Sequence, residues 1–353
     1  MAVAVEHVAH RKKKQYDPMS PAQLPTFGTV PILPHTFQIV LRLSRPRTWT
    51  FAASSFILGY TLTGGSSLFQ MALGLAVAGL VTAATNVVNA FADRKEDGVN
   101  QPSRVFWIDQ IGLPGTITSV LVMYGMAIAA SIFLGPLFML VLAVGIFNSI
   151  FYSVRPLRFK ARPFASLLSF SGAVGLAFLS GVSVMGSVNL LSPVFLLVTY
   201  FMFTYGTVKN LPDYSGDKKA GTRTSATIFH SLANAVRFSG ILLFTPYFLL
   251  VTFVVTGSLA PIYLADLGMG LIFAAIFFQM LKAKSSQELE KAHTFGFFYA
   301  ISFILFTLVL TSPTLVSIIV ILSAYLWTLL VSRVSLDSRV ENRDWEKPKR
   351  KKT

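Results

Sequence analysis

Two short acidic stretches, each at the end of an apolar run, carry the residue types with which this chain could do chemistry. The first is Asn89-Ala-Phe-Ala-Asp93-Arg-Lys-Glu-Asp97, with Asn and Asp at four-residue intervals. The second is Lys209-Asn210-Leu-Pro-Asp213-Tyr-Ser-Gly-Asp217-Lys-Lys, with an Asp pair at the same interval. Side chains four apart share one face of a helix, so each set is expected to present its oxygens together, toward solvent. Carboxylates gathered in this way repel one another unless a cation lies between them. One or two oxygen ligands per segment suit Mg²⁺ that also holds the phosphate oxygens of a substrate. Two such sets facing each other would form a metal-dependent clamp for a diphosphate.

Basic residues flank both stretches: Arg94, Lys95 and Arg104 beside the first, Lys209, Lys218, Lys219 and Arg223 beside the second. Cations of this kind, with a metal, are what a departing diphosphate needs. A third basic stretch, Tyr152-Ser-Val-Arg155-Pro-Leu-Arg158-Phe-Lys160, reads as a phosphate-binding edge, because guanidinium forks and ammonium groups both suit phosphate oxygens. Asn148 lies one helical turn before Tyr152 and is a candidate for lining a cavity.

The elements that must position these residues are membrane helices. Hydrophobic residues make up 53% of the 353-residue chain and charged residues 13%, against about 25% charged in soluble domains. Apolar stretches of about twenty residues recur throughout, and they read as spans near 47–63, 68–90, 114–134, 136–153, 164–186, 190–208, 234–256, 260–281, 294–311 and 314–332. With these spans, all 30 Lys and Arg residues fall in the tails or in the alternate connections on one side. That pattern follows the positive-inside rule and accounts for the net charge of +15 without a nucleic-acid partner. It predicts an integral, multi-pass membrane protein with both termini and both Asp stretches on the cytoplasmic side, most simply in the cell membrane. The organisation expected is a disordered basic N-terminal tail over 1–35, one membrane domain over 36–332 and a basic C-terminal tail over 333–353. A hairpin leads into the first Asp stretch and a second hairpin follows; the plan then repeats from the fifth span. With no cysteine, neither a disulfide frame nor a thiolate site exists.

In four stretches the chain resembles the UbiA superfamily of intramembrane prenyltransferases. They are Ser44-Arg45-Pro46-Arg47-Thr48-Trp49, the Asn89/Asp93/Asp97 stretch continued by Asn100-Gln-Pro102-Ser-Arg104, Tyr152 to Lys160, and Lys209 to Arg223. The resemblance covers about residues 36–311. It implies an all-α bundle of nine to ten transmembrane helices around a central cavity, closed by a cap. It implies Mg²⁺-dependent transfer of a polyprenyl group from its diphosphate to a lipophilic or aromatic acceptor. Asn89, Asp93, Asp97, Asp213 and Asp217 would hold the diphosphate through Mg²⁺. Lys160, Lys209, Arg104 and Arg223 would contact its oxygens, with Arg45, Arg158, Asn210, Tyr152 and Asn148 as further substrate-binding candidates. The chain departs from the family pattern at Val105-Phe106-Trp107 and at Arg155. The second stretch is similar to the branch that prenylates quinone precursors, and to branches acting on chlorophyllide or carotenoids. A terpene cyclase of the same fold, or transfer to a glycerol-phosphate lipid, are the alternatives.

The mechanism expected is ionisation of the allylic C–O bond, with the carbocation held among aromatic faces until an electron-rich acceptor carbon attacks. The five His residues show no metal spacing and read as surface or helix-end groups. Asp266, acidic and alone on the far side, reads as a helix-end residue. Trp49, Trp107 and Trp327 read as interface anchors.

Overall fold

The computed structural model describes residues 35–284 and 286–333. Both expected tails therefore fall almost wholly outside the described residues. Among those described, the protein is all helical, with no strand.

The helices run α1 His35–Leu43, α2 Trp49–Leu62, α3 Leu68–Ala92, α4 Arg94–Asn100, α5 Pro102–Ser131, α6 Pro136–Ser153, α7 Pro163–Ser183, α8 Pro193–Lys209, α9 Tyr214–Ala220, α10 Leu232–Val255, α11 Leu267–Lys282, α12 Ser286–Thr311 and α13 Leu315–Arg333. Local sequence sets many of these starts. Proline occupies the first turn of α5, α6, α7 and α8, where its missing N–H would have had no helical partner. Ser67 and Ser231 cap α3 and α10 through their hydroxyls. Inside α5, Gly112 leaves helical geometry (φ 59°, ψ −167°) just ahead of Pro114, so this long element is two helices joined at a break.

A helix stands at each of the ten expected spans. Eight helical stretches among the described residues are long and apolar enough to cross a membrane, α11 counting with the 3-10 turn Pro261–Asp266 that leads into it. Helix α8 has 17 residues and reaches that standard only when joined to α9, which turns away from it by 75°. Helix α2 is shorter still, at 14 residues. We read α4 and α9 as cap helices outside the spans; they pack against each other. The repeated plan is present: α2–α3 leads to α4 and then α5–α6, and α7–α8 leads to α9 and then α10–α11, with α12 and α13 added at the end.

Small residues make the central contact between the halves, where α2 crosses α7. A Cβ on Gly59 would lie 2.1 Å from the Phe178 carbonyl oxygen, and one on Gly181 would lie 2.1 Å from that of Phe56. Ser55 Oγ donates to the Val174 carbonyl across the same seam at 2.8 Å. In lipid, helix association rests on such close backbone approach rather than on a hydrophobic drive. Gly181→Ala is therefore expected to destabilise the fold by about 1–3 kcal/mol or more, whereas Gly172→Ala, where a Cβ meets nothing within 4 Å, is expected to be neutral. Comparing the two unfolding temperatures in detergent checks this; equal values would show that the seam tolerates separation.

Candidate active site

The first acidic stretch straddles a helix break. Helix α3 stops at Ala92, Asp93 caps it, and α4 restarts at Arg94. The four-residue ladder nevertheless persists: Asp93 N–H donates to the Asn89 carbonyl (3.0 Å) and Asp97 N–H to that of Asp93 (2.8 Å). The second stretch is built alike. Asp213 caps α9, and Asp217 N–H donates to its carbonyl at 2.9 Å. Gly221, in the left-handed region at φ 72°, ends α9.

The carboxylates do not face open solvent, contrary to the sequence expectation. Asp93 is 2% exposed, Asp97 5% and Asp217 7%, while Asp213 is half-buried. The cap helices bury them against basic side chains, from the start of α5 and from the α6–α7 loop. Lys160 Nζ meets Asp93 Oδ2 at 2.6 Å. Arg104, itself buried, holds Asp97 Oδ2 at 2.7 Å and donates to the Asn86 carbonyl at 2.9 Å. Arg158 meets Glu96 Oε1 at 2.7 Å, and the Thr222 hydroxyl donates to the same oxygen at 3.1 Å. Glu96 thus ties the first acidic stretch to the α6–α7 loop and to the second stretch. It did not stand out in the sequence, because it lies off the face shared by Asp93 and Asp97.

The charges are imperfectly balanced. Burial and the neighbouring Asp213 carboxylate push the Asp217 carboxyl up to about 7, despite Lys160 nearby; Asp93 and Glu96 add to the same repulsion. Burial also raises Asp97, against the pull of Arg104. For Lys160, burial disfavours the ammonium, but the Asp93 carboxylate more than offsets this and raises its pKa. Asp93, Asp97, Lys160 and Asp217 therefore feel one another as a single cluster joining both halves of the chain.

Below the cap lies a cavity of about 240 Å³ with largely apolar walls. Asn89, Arg45, Asn148, Tyr152 and Lys209 line it. Lys209 Nζ sits 4.8 Å from the centre of the Phe170 ring and 6.0 Å from that of Tyr152. Asn148 also bonds α7 at both ends of its amide: Nδ2 donates to the Ser169 carbonyl (2.9 Å) and Oδ1 accepts from Ser169 Oγ (2.6 Å). Arg45 Nη2 donates to Gln101 Oε1 at 3.1 Å. Two other candidates lie apart from the cavity wall. Asn210 Nδ2 donates to Ser225 Oγ at 3.0 Å, and Arg223 is exposed. The only non-glycine residues at positive φ among those described are Arg45 (51°) and Arg158 (39°), both basic candidates, and such strain gathers at functional sites.

One sequence reading changes here. His293 is not a surface group: it is 7% exposed and lines the cavity together with Phe297 and Arg47. Asp266 stands at a helix end as expected, as the N-cap of α11, and is fully buried there, accepting from the Thr307 hydroxyl at 3.2 Å.

The donor set fits a hard cation. Asn89 Oδ1 and Asp93 Oδ1 are buried oxygens with no hydrogen-bond partner, and buried acceptors in that state call for one. Among the described residues no three His, Asp or Glu side chains converge on one metal position.

The UbiA prenyltransferase family model matches residues 48–304. The chain belongs to the UbiA prenyltransferase family. It is a prenyltransferase and an integral membrane protein. A digeranylgeranylglyceryl phosphate synthase of Methanoculleus marisnigri is 28% identical over 212 residues, 58% of this chain and 71% of the relative. A bacteriochlorophyll synthase 34 kDa chain of Chloroflexus aurantiacus is 29% identical over 194 residues, 52% of this chain and 62% of the relative. The UbiA fold is shared with a homologue from Archaeoglobus fulgidus, whose structure was solved with GPP and Mg²⁺ bound. Its TM-score is 0.59 at 19% identity, over 76% of this chain and 99% of that one.

Proposed function

We propose that this UbiA protein transfers a polyprenyl group from a prenyl diphosphate to a lipophilic acceptor held in the cavity, with Asn89, Asp93, Asp97, Asp213 and Asp217 binding the diphosphate through Mg²⁺. One observation carries the reading. Acidic groups from both halves gather in one cluster one helical turn from Asn89, which lines a largely apolar cavity, and oxygens of Asn89 and Asp93 are unmatched. The A. fulgidus homologue, bound to GPP or to DMAPP with Mg²⁺, supports the donor and the ion.

Mg²⁺, when bound, supplies positive charge that stabilises the diphosphate as it leaves. The remaining work falls to side chains. Lys160 stands against Asp93 and Lys209 at the cavity wall, both placed to meet diphosphate oxygens. Tyr152 and Phe170 line the cavity beside the Lys209 ammonium, and aromatic walls of this kind would stabilise an allylic cation. Arg104, already engaged with Asp97, orients that carboxylate. Arg158 stiffens the cap through Glu96.

For the acceptor, the form of the second stretch supports a quinone precursor, and the names of the relatives add glycerol-phosphate lipids and bacteriochlorophyll precursors. The distribution of Lys and Arg supports a cytoplasmic position for both termini and the cap.

Membranes containing the protein should convert labelled prenyl diphosphates into a labelled lipophilic product only when Mg²⁺ and an acceptor from a pool of these three classes are both present. Diphosphate release with a cyclised product from donor alone would identify a cyclase instead. No release with any donor would remove the reading.

A further inference from the structure

Helix α13 lies beyond the region matched by the family model, which ends at residue 304. It nevertheless reaches the strained turn that feeds Arg45 and Arg47 into the cavity. Trp327 Nε1 donates to the Pro46 carbonyl at 2.9 Å, a contact between residues 281 positions apart. Its ring stacks on Trp49, with centroids 5.8 Å apart and planes at 27°. Trp49 Nε1 in turn donates to the Ser44 carbonyl at 3.0 Å. The two indoles, expected from sequence to anchor the membrane interface, instead hold the carbonyls on either side of Arg45.

Arg45 needs such support. It adopts the left-handed region at φ 51°, which costs an L-residue about 1–2 kcal/mol and persists only where the surroundings enforce it. The turn is also linked to the acidic site. Asn86 Nδ2 donates to the Ser44 carbonyl and to Thr48 Oγ1, both at 2.9 Å. The Asn86 carbonyl accepts from Arg104, which holds Asp97.

We propose that Trp327 is a positioning residue, and that α13 is a brace which keeps Arg45 and Arg47 turned toward the diphosphate end of the cavity. Trp327 touches no substrate; it acts through the Ser44–Thr48 turn. The inference rests on the diphosphate reading above.

The test uses the full-length protein with Trp327→Phe, which keeps the stack and removes the N–H, Trp327→Ala, which removes both, and Leu322→Ala, on the exposed face of α13. The probe is inorganic diphosphate with Mg²⁺, titrated calorimetrically, alongside donor KM and kcat. Trp327→Phe should weaken diphosphate binding about three- to tenfold, the effect of one hydrogen bond, and raise donor KM in step. Its kcat should stay within about twofold and its unfolding temperature should fall by no more than a few degrees, the cost of one hydrogen bond. Trp327→Ala should weaken binding further, and Leu322→Ala should match the wild type. If Trp327→Ala does not fold, Trp327→Phe decides alone. Wild-type binding of diphosphate in Trp327→Phe, or loss of kcat at constant KM, would overturn the brace. Failure of the wild type itself to bind Mg²⁺-diphosphate would instead overturn the site reading.

Discussion

Asp93→Asn and Asp213→Asn should each leave a folded, membrane-inserted protein whose turnover falls by about 10²–10³-fold or more. Each change keeps the side-chain volume and removes one negative charge from the cluster that receives the metal. The choice of Asn follows from the structure. Asp93 is buried with one oxygen on Lys160 and the other unmatched. Replacing it by Ala would strand a buried ammonium, and breaking a buried pair costs about 3–5 kcal/mol. Lost activity would then be confounded with lost fold. The check is turnover at saturating labelled donor and Mg²⁺, with unfolding temperature measured on the same preparations. Near-normal turnover in either variant would sink the assignment of the metal ligands.

Lys160→Met should reduce turnover by about 10²-fold and at the same time lower the Mg²⁺ concentration needed for half-occupancy. As a phosphate contact alone, Lys160 would leave the metal midpoint untouched. The 2.6 Å pair with Asp93 changes that expectation. The ammonium already occupies one face of the carboxylate cluster and partly neutralises Asp93, Asp97 and Asp217. Removing it leaves negative charge that a divalent ion can satisfy, so affinity for Mg²⁺ should rise by about five- to tenfold, within the usual range for coupling between sites. Thermal shift against Mg²⁺ in the absence of donor reads the midpoint directly. A midpoint that is unchanged or higher would mean that Lys160 and the metal do not share Asp93.

Much of the architecture was legible because the membrane simplifies the code. Helices spanning lipid must be long and apolar, and Lys and Arg crowd one set of connections, so a basic stretch such as 155–162 marks its turn between α6 and α7. The acidic stretches were legible because ionisable groups near a span have few ordinary uses. What the sequence hid was burial and partnership across long separations. Glu96 sits among visible candidates, yet its value comes from Arg158 and Thr222, 62 and 126 positions away. His293 looks like any helix-end histidine until α12 is laid against the cavity. Trp327 reads as an anchor because nothing near it in sequence reveals Pro46. The end of α2 was legible, since the expected span 47–63 stops where the helix does, before Gly64 and Gly65; what was hidden is the 3-10 turn Pro46–Thr48, which holds the start of the helix back to Trp49.

The shortness of α2 has a consequence for depth. Helix α2, at 14 residues, rises about 21 Å, and α8, at 17 residues, about 25 Å, against a hydrocarbon layer of about 30 Å. Helix α3, with 25 residues, rises about 37 Å. Both short helices wall the cavity, through Phe51 and Ala52 and through Tyr205 and Lys209. Two walls of the cavity are therefore too short to cross that layer on their own, and α8 ends at a lysine on the cavity wall, so polar groups stand beside apolar ones within a single helix height. An amphiphile sliding in from one leaflet would keep its charged head among polar groups and its tail among apolar ones throughout, so entry would require neither end to change solvent.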